Sequence, residues 1–292
     1  MRKIAFLSFT FFFLLTACEK KYIYPDDNYL GKLKDYESYY YETNIPYEPF
    51  YYAPPSDSLL TLLRERYKLE KIAGSGDELS RIINLMNWVS SFTIYKGGES
   101  VDVPRNAVDL IPMARNKGVK MNCRLIATIL NDVYLSMGFK ARFVSCMPAS
   151  ISGTDYHVVN IVYAESLGKW IYMDASFNAW FKDMHNQPLG ISEIRINLLN
   201  ERPIYVHKSV NMNGAKVKEA DYINYMTRHM VRFYSPAHSE PNYDSKPGVK
   251  TYYHLHPAGF FPNLGTEITP HVQRIYMSNP DIFWAAPVYI EE

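Results

Sequence analysis

Apolar and polar residues recur along the chain with two periods, and the change between them falls at Gly138. Before it the spacing is helical. Asp57-Ser58 opens a run in which Leu59, Leu62, Leu63, Arg66 and Leu69 share a face, ending before Gly74. Asp77 opens a second run, with Leu79, Ile82, Ile83, Met86 and Val89 as its apolar stripe and Trp88 at its flank. From Tyr95 to Gly118, paired glycines with Pro104 and Pro112 predict a loop-rich stretch with one short helix near Asn106 to Ile111. Asn122 then caps a third run, in which Leu125, Ile126, Ile129, Leu130, Val133 and Met137 keep helical spacing until Gly138 stops it. Cys123 therefore falls in the first turn of a buried helix.

Beyond Gly138 the period is that of strands. Ala141 to Cys146 alternates between Gly138 and Pro148, Tyr156 to Tyr163 reads as a strand, Ser166 to Lys169 as a turn and Trp170 to Asp174 as the returning strand. Pairing Val162 with Lys169 across this hairpin sets His157 directly opposite Asp174, so that imidazole and carboxylate share a face and can hydrogen-bond. Farther on, Pro203 to Val206 reads as a strand, Asn213-Gly214 as a turn and Ala220 to Phe233 as a helix with Tyr222, Tyr225, Met226, His229 and Met230 along one side. The remainder, rich in Pro and Tyr, suggests short strands and loops without a repeat.

The N-terminus has a different character. Arg2 and Lys3 precede a stretch from Ile4 to Leu15 that is apolar but for Ser8 and Thr10, too short to stay in a bilayer as a helix, and Leu15-Thr16-Ala17-Cys18 follows. These four residues resemble the lipobox of bacterial lipoproteins. That resemblance implies a signal peptide over 1–17, cleavage before Cys18, lipid on the Cys18 thiol and an extracytoplasmic protein held at a membrane. The outer membrane is favoured, facing either the periplasm or the exterior. Residues 18–55, rich in Tyr, Pro, Asp and Glu, read as a tether whose second half lies on the folded body, since so much aromatic surface does not suit a solvated linker.

Hydrophobic content of 47% and aromatic content of 15% belong to a packed globular protein, and 31 basic against 30 acidic side chains, with no basic run, argue against a nucleic-acid partner. With Cys18 lipidated only Cys123 and Cys146 remain, so this is no disulfide scaffold. A Cys123–Cys146 bridge is geometrically open, yet two free thiols are the expectation, because the sequence does not fix the required Cα separation. His254 and His256 share a strand face and, with His238 and His271, make a conceivable zinc set. No further cysteine or acidic cluster supports it, so packing or surface roles are expected and no cofactor or metal is implied.

Cysteine at a helix start, then histidine and aspartate on neighbouring strands, is the order needed for nucleophile, base and orienter. The helix end favours a thiolate, the imidazole holds and returns a proton, and the carboxylate fixes the tautomer and stabilises the imidazolium. At this point the chain resembles the transglutaminase-like superfamily. Gly118 to Cys123 is similar to that family's entry to the nucleophile helix, Met137 to Val144 to its Gly-x-x-Ala-Arg-x-Val strand, Tyr156 to Ile161 to its His strand, and Trp170 to Ala175 to its Asp strand. Asn87-Trp88-Val89 followed by Tyr95 resembles its preceding helix. Two positions depart from the pattern. Asn122 stands where animal transglutaminases often carry Gln, and Arg124 where an aromatic commonly follows the nucleophile. The second oxyanion donor, beside the Cys123 backbone N–H, is therefore open between Asn122, Trp88 and a group elsewhere.

The expectation is an α+β protein with a papain-like, transglutaminase-like core at 56–183, N-terminal helices packed on an antiparallel sheet, and residues 184–292 either extending that core or forming a small appended domain. The resemblance implies a catalytic triad of Cys123, His157 and Asp174 acting on amide bonds of proteins or peptides, as a hydrolase or acyltransferase. Hydrolysis is favoured, since nothing announces a dry amine-binding tunnel. The alternative is a non-catalytic peptide- or glycan-binding lipoprotein on the same scaffold.

Overall fold

The computed structural model describes residues 23–42, 47–150, 155–260 and 265–288. The expected signal peptide at 1–17 and Cys18 lie outside these described residues. In chain order the first half contains α1 (Asp27–Lys34), β1 (Tyr51–Tyr52), α2 (Ser58–Tyr67), α3 (Leu69–Ala73), α4 (Glu78–Phe92), β2 (Ile94–Tyr95), α5 (Ala107–Lys117), β3 (Lys120–Met121) and α6 (Cys123–Ser136). Then come β4 (Ala141–Met147), β5 (His157–Ala164), β6 (Lys169–Met173), β7 (Phe181–Lys182), α7 (Ile191–Leu199), β8 (Tyr205–Val206), β9 (Asn211–Met212), β10 (Ala215–Lys216) and α8 (Glu219–Arg228). The chain closes with β11 (Arg232–Pro236), β12 (His238–Ser239), β13 (Lys250–Leu255), β14 (Gly265–Ile268), β15 (Val272–Met277) and α9 (Pro280–Phe283). The fold is α+β.

Its centre is a seven-stranded sheet in the order β14-β15-β13-β11-β4-β5-β6, antiparallel throughout except between β13 and β15. Strands beyond residue 184 thus lie in the same sheet as the hairpin. Every residue of β4 is buried, because both faces of the sheet are covered. Ala141, Val162, Ile171 and Met173 pack with Met86, Leu110 and Ile126 of α4, α5 and α6. On the other face Val144, Cys146, Ile161 and Tyr172 pack with Leu33, Ile194 and Tyr222 of α1, α7 and α8. Helices α4, α5 and α6 cover one face; the second layer is built from α1 together with α7 and α8 of the C-terminal half.

Helix starts follow the capping chemistry: the Asp57, Asp77 and Asn122 side chains accept from backbone N–H groups of their own first turns. Helix phases are less faithful. The first predicted run breaks at Lys68, which takes a left-handed conformation, and it buries Leu60 and Leu63 while Leu62 is 39% exposed. The short helix expected near Asn106 to Ile111 runs on through Pro112 to Lys117, because Ala114 is buried beside Leu110 and Ile111 and tertiary packing outweighs the proline's missing donor.

The hairpin register also differs. Val162 faces Ile171, not Lys169, and Ala164 faces Lys169, with the turn at Glu165 to Gly168. His157 and Asp174 are therefore not directly opposed; the ladder ends at the pair Asn160 and Met173, and Asp174 lies one residue beyond it. A slip of two residues leaves every side chain on its original face, whereas a slip of one would have reversed them all. The two residues consequently still meet.

The stretch read as a tether folds earlier than expected. Its first half forms α1, capped by Asp26, and the helix buries Leu30 and Leu33; farther on, β1 pairs in parallel with β12. Since Leu33 is fully buried against the C-terminal layer, Leu33→Ala should lower unfolding free energy by about 2–5 kcal/mol. The same change at exposed Leu62 should cost within about 0.5 kcal/mol. Chemical denaturation midpoints check both, and equal midpoints for the two variants would show that α1 is not part of the cooperative core.

Candidate active site

Cys123 is the first residue of α6, where helix geometry offers its N–H no intrahelical acceptor. Asn122 caps the helix by accepting from Leu125 N at 3.0 Å, while its Nδ2 donates to Glu99 O at 2.6 Å. The amide oxygen and one of its two N–H groups are thus committed to structure. The Trp88 ring packs on Tyr67 and Phe92. The parallel pairing of β2 with β3 sets Tyr95 beside Met121, two residues before Cys123. Cys123, Ala127, Phe143 and Val158 form a small apolar cluster against which Tyr95 and Tyr156 pack.

His157 and Asp174 meet at the end of the sheet, with 2.7 Å between Nε2 and Oδ2, and both side chains are almost completely buried. Asp174 leaves β6 into a tight turn closed by two backbone hydrogen bonds with Ala179, and its Oδ1 accepts from Ser176 N at 2.9 Å and Phe177 N at 3.3 Å. The Tyr222 hydroxyl of α8 also donates to Oδ2, at 2.6 Å, and lies 2.6 Å from the Tyr172 hydroxyl. Rings of Tyr95, Phe177 and Tyr225 enclose the imidazole at centroid separations of 6.3, 5.5 and 5.3 Å. Nδ1 is buried without a hydrogen-bond partner among the described residues.

The charges follow from this packing. Burial by itself works against imidazolium, but the Asp174 charge and hydrogen bond, together with Cys123, overcome it and raise the His157 pKa. Burial likewise works against a thiolate; interaction with His157 and a hydrogen bond from the Val158 N–H outweigh it, and the Cys123 pKa falls below that of an ordinary thiol. Cys146, paired across from His157 on β4, is fully buried, and burial followed by the charges of Asp174 and Cys123 pushes its pKa well up. Both thiols are free. The two thiols are therefore shifted in opposite directions, Cys123 toward the thiolate and Cys146 away from it.

Arg124, the residue after Cys123, does not face the thiol's substrate side as a free cation. Its Nε and Nη2 bind both oxygens of Asp244 at 2.7 and 2.8 Å, Tyr252 donates to the same carboxylate at 2.8 Å, and the guanidinium lies 4.7 Å from the centre of the Phe143 ring. This bidentate clamp ties the segment after β12 to the start of the nucleophile helix. Tyr222, Tyr225 and Asp244 were not legible as site residues in the sequence; the only signal was the tyrosine stripe along α8. Among the described residues no group of three or more His, Cys, Asp or Glu side chains is arranged to hold a metal ion. His254 instead stacks on Tyr234, and His238 on Tyr243.

Comparison with known proteins agrees with this arrangement in part of the chain. The profile of the transglutaminase-like superfamily core matches residues 65–175. No curated protein matches the sequence. Among solved structures, a protein from Cytophaga hutchinsonii provisionally named a cysteine protease is similar at 16% identity, covering 44% of this chain and 46% of its own, with a TM-score of 0.32. A TGase is similar at 20% identity over 41% of this chain and 31% of its own, TM-score 0.29. LapG of Legionella pneumophila is similar at 14% identity over 61% of this chain and 97% of its own, TM-score 0.32. The chain thus spans less than half the length of the first two. With Cys123, His157 and Asp174 placed by α6, β5 and the end of β6, all inside or at the edge of the matched span, residues 65–175 form a core of the transglutaminase-like superfamily.

Proposed function

We propose that this protein is a cysteine enzyme that cleaves amide bonds of proteins or peptides, anchored by lipid on Cys18 to the extracytoplasmic side of a bacterial membrane, the outer membrane being favoured. The observation that carries the chemistry is the buried contact between His157 Nε2 and Asp174 Oδ2, at 2.7 Å, beside a thiol whose pKa is lowered. In the resting state Cys123 is thiolate and His157 imidazolium. The sulfur attacks the amide carbonyl carbon, and the oxyanion is received by the Cys123 N–H at the helix start. His157 then passes its proton to the amide nitrogen as the C–N bond breaks, releasing an amine and leaving a thioester. Water attacks the thioester, gives a proton to His157 and releases a carboxylic acid, restoring the ion pair. Asp174 holds the imidazole orientation throughout.

Because the Cys123 pKa is shifted down and that of His157 up, activity should span a window between the two. It should fall on the acid side as the thiolate takes a proton and on the alkaline side as the imidazolium loses one. Iodoacetamide should accordingly modify Cys123 well below about pH 8.5, the midpoint of an ordinary thiol, and leave Cys146 untouched in the folded protein. His157→Ala should abolish that low-pH reactivity. Asp174→Asn should keep the fold and slow turnover by roughly 10⁴-fold through the wrong tautomer. A Cys123 that titrates like a free thiol would remove the basis for an enzyme and favour a non-catalytic peptide-binding role.

Peptide libraries incubated with and without a primary amine should yield cleaved products in both cases; dominant amine incorporation would reassign the enzyme as an acyltransferase. In a bacterial host the wild-type chain should take up labelled fatty acid and sediment with membranes, and Cys18→Ser should do neither. Equal labelling of the two would exclude the anchor.

A further inference from the structure

Asp174 Oδ2 receives two donors, His157 Nε2 at 2.7 Å and the Tyr222 hydroxyl at 2.6 Å. Tyr222 is fully buried and comes from α8, outside the span that matches the family profile. Its oxygen lies in turn 2.6 Å from the Tyr172 hydroxyl, which sits on β6 two residues before Asp174. Since Tyr222 has one proton and spends it on the carboxylate, Tyr172 must donate to Tyr222. The chain of donation therefore runs from Tyr172 to Tyr222 to Asp174, and each bond strengthens the next by polarising it. Packing alone does not require this arrangement: a phenylalanine ring at 222 would fill the same space against Phe177 and Phe181.

We propose that Tyr222 tunes the His157–Asp174 pair as a positioning residue: by donating to the same oxygen as the imidazole, it takes up part of the carboxylate's charge and limits how tightly the imidazolium is held. The inference rests on the function proposed above. A general acid must release its proton to the departing amine, and an imidazolium bound to an unshared buried carboxylate gives it up less readily. Burial and the nearby Asp174 charge keep both phenols neutral and thus available as donors. The other titratable groups facing the pair are Cys123 from α6, Cys146 from β4, Tyr95 from β2, and Tyr225 and His229 from the α8 end. None of them donates to Oδ2 among the described residues.

The test is a pH titration of the His157 ring by NMR in the full-length protein labelled at histidine, paired with steady-state kinetics on a cleaved peptide. In Tyr222→Phe the imidazolium midpoint should move up by about one pH unit, a tenfold change in proton affinity, and kcat should fall while KM stays near the wild-type value. Tyr172→Phe, which leaves the Tyr222 hydroxyl in place but without its donor, should shift the midpoint in the same direction by less. It decides the matter if Tyr222→Phe does not fold. An unchanged midpoint, or one displaced downward, overturns the proposal. The wild-type alkylation profile of Cys123 is independent of Tyr222: if it is that of an ordinary thiol the enzyme reading itself fails, whereas a low-pH thiolate with an unmoved His157 midpoint rejects the role of Tyr222 alone.

Discussion

A charged hydrogen bond without access to water, between His157 and Asp174, is the constraint around which the rest of this molecule is arranged. Two ionisable groups in so apolar a place are tolerated only if the remaining lone pairs of the carboxylate are satisfied, because desolvation of an isolated anion far exceeds what one neutral hydrogen bond returns. Asp174 meets that condition with two backbone donors at Oδ1 and a phenol at Oδ2. The turn from Asp174 to Ala179, the seating of α8 and the cover of aromatic rings over His157 all serve the same requirement. The lowered pKa of Cys123 depends on it in turn, since it is interaction with His157 that offsets the cost of burying the sulfur as an anion.

Charge is handled elsewhere in the core by two other routes. Arg124 is neutralised by a bidentate carboxylate, so the residue next to the nucleophile presents no free cation. Arg142, fully buried on β4, has no such partner among the described residues. Its guanidinium lies 3.8 Å from the centre of the Phe50 ring and 4.8 Å from that of Phe283, and donates to Phe283 O. Burial brings its pKa down to about 10, and aromatic faces supply the stabilisation that an anion would otherwise provide. Phe50 comes from the segment before α2 and Phe283 from α9, so one buried cation joins these two distant segments to strand β4.

The matched family span and the working site are not the same piece of protein. Residues 65–175 carry Cys123, His157 and Asp174, yet α7 and α8 of the second layer over the sheet, the donor to Asp174 Oδ2 and the counter-ion of Arg124 all come from beyond residue 175, and α1 of that layer from before residue 65. Strands β11 and β13 extend the same sheet, which gives these later residues a fixed position relative to the hairpin. The C-terminal half is in this sense structural support for the carboxylate and the wall beside the nucleophile helix.

What the sequence by itself determined was local and periodic. The cap at Asn122, the apolar spacing of α6, the positions of strands β4 and β5 and the order Cys, His, Asp were legible because each depends on neighbours within a few residues. Even the misjudged hairpin register kept His157 and Asp174 on one face, since strand parity survives a slip of two. Which face of the first helix run is buried, how far α5 continues past Pro112 and whether the Tyr-rich N-terminal stretch folds were decided only in three dimensions, because they depend on surfaces supplied by distant segments. The same holds for Tyr222 and Asp244. Nothing at 222 announces a partner at 174, or at 244 a partner at 124; those pairings depend on segments distant in sequence, α8 on the second face of the sheet and the segment after β12 beside α6.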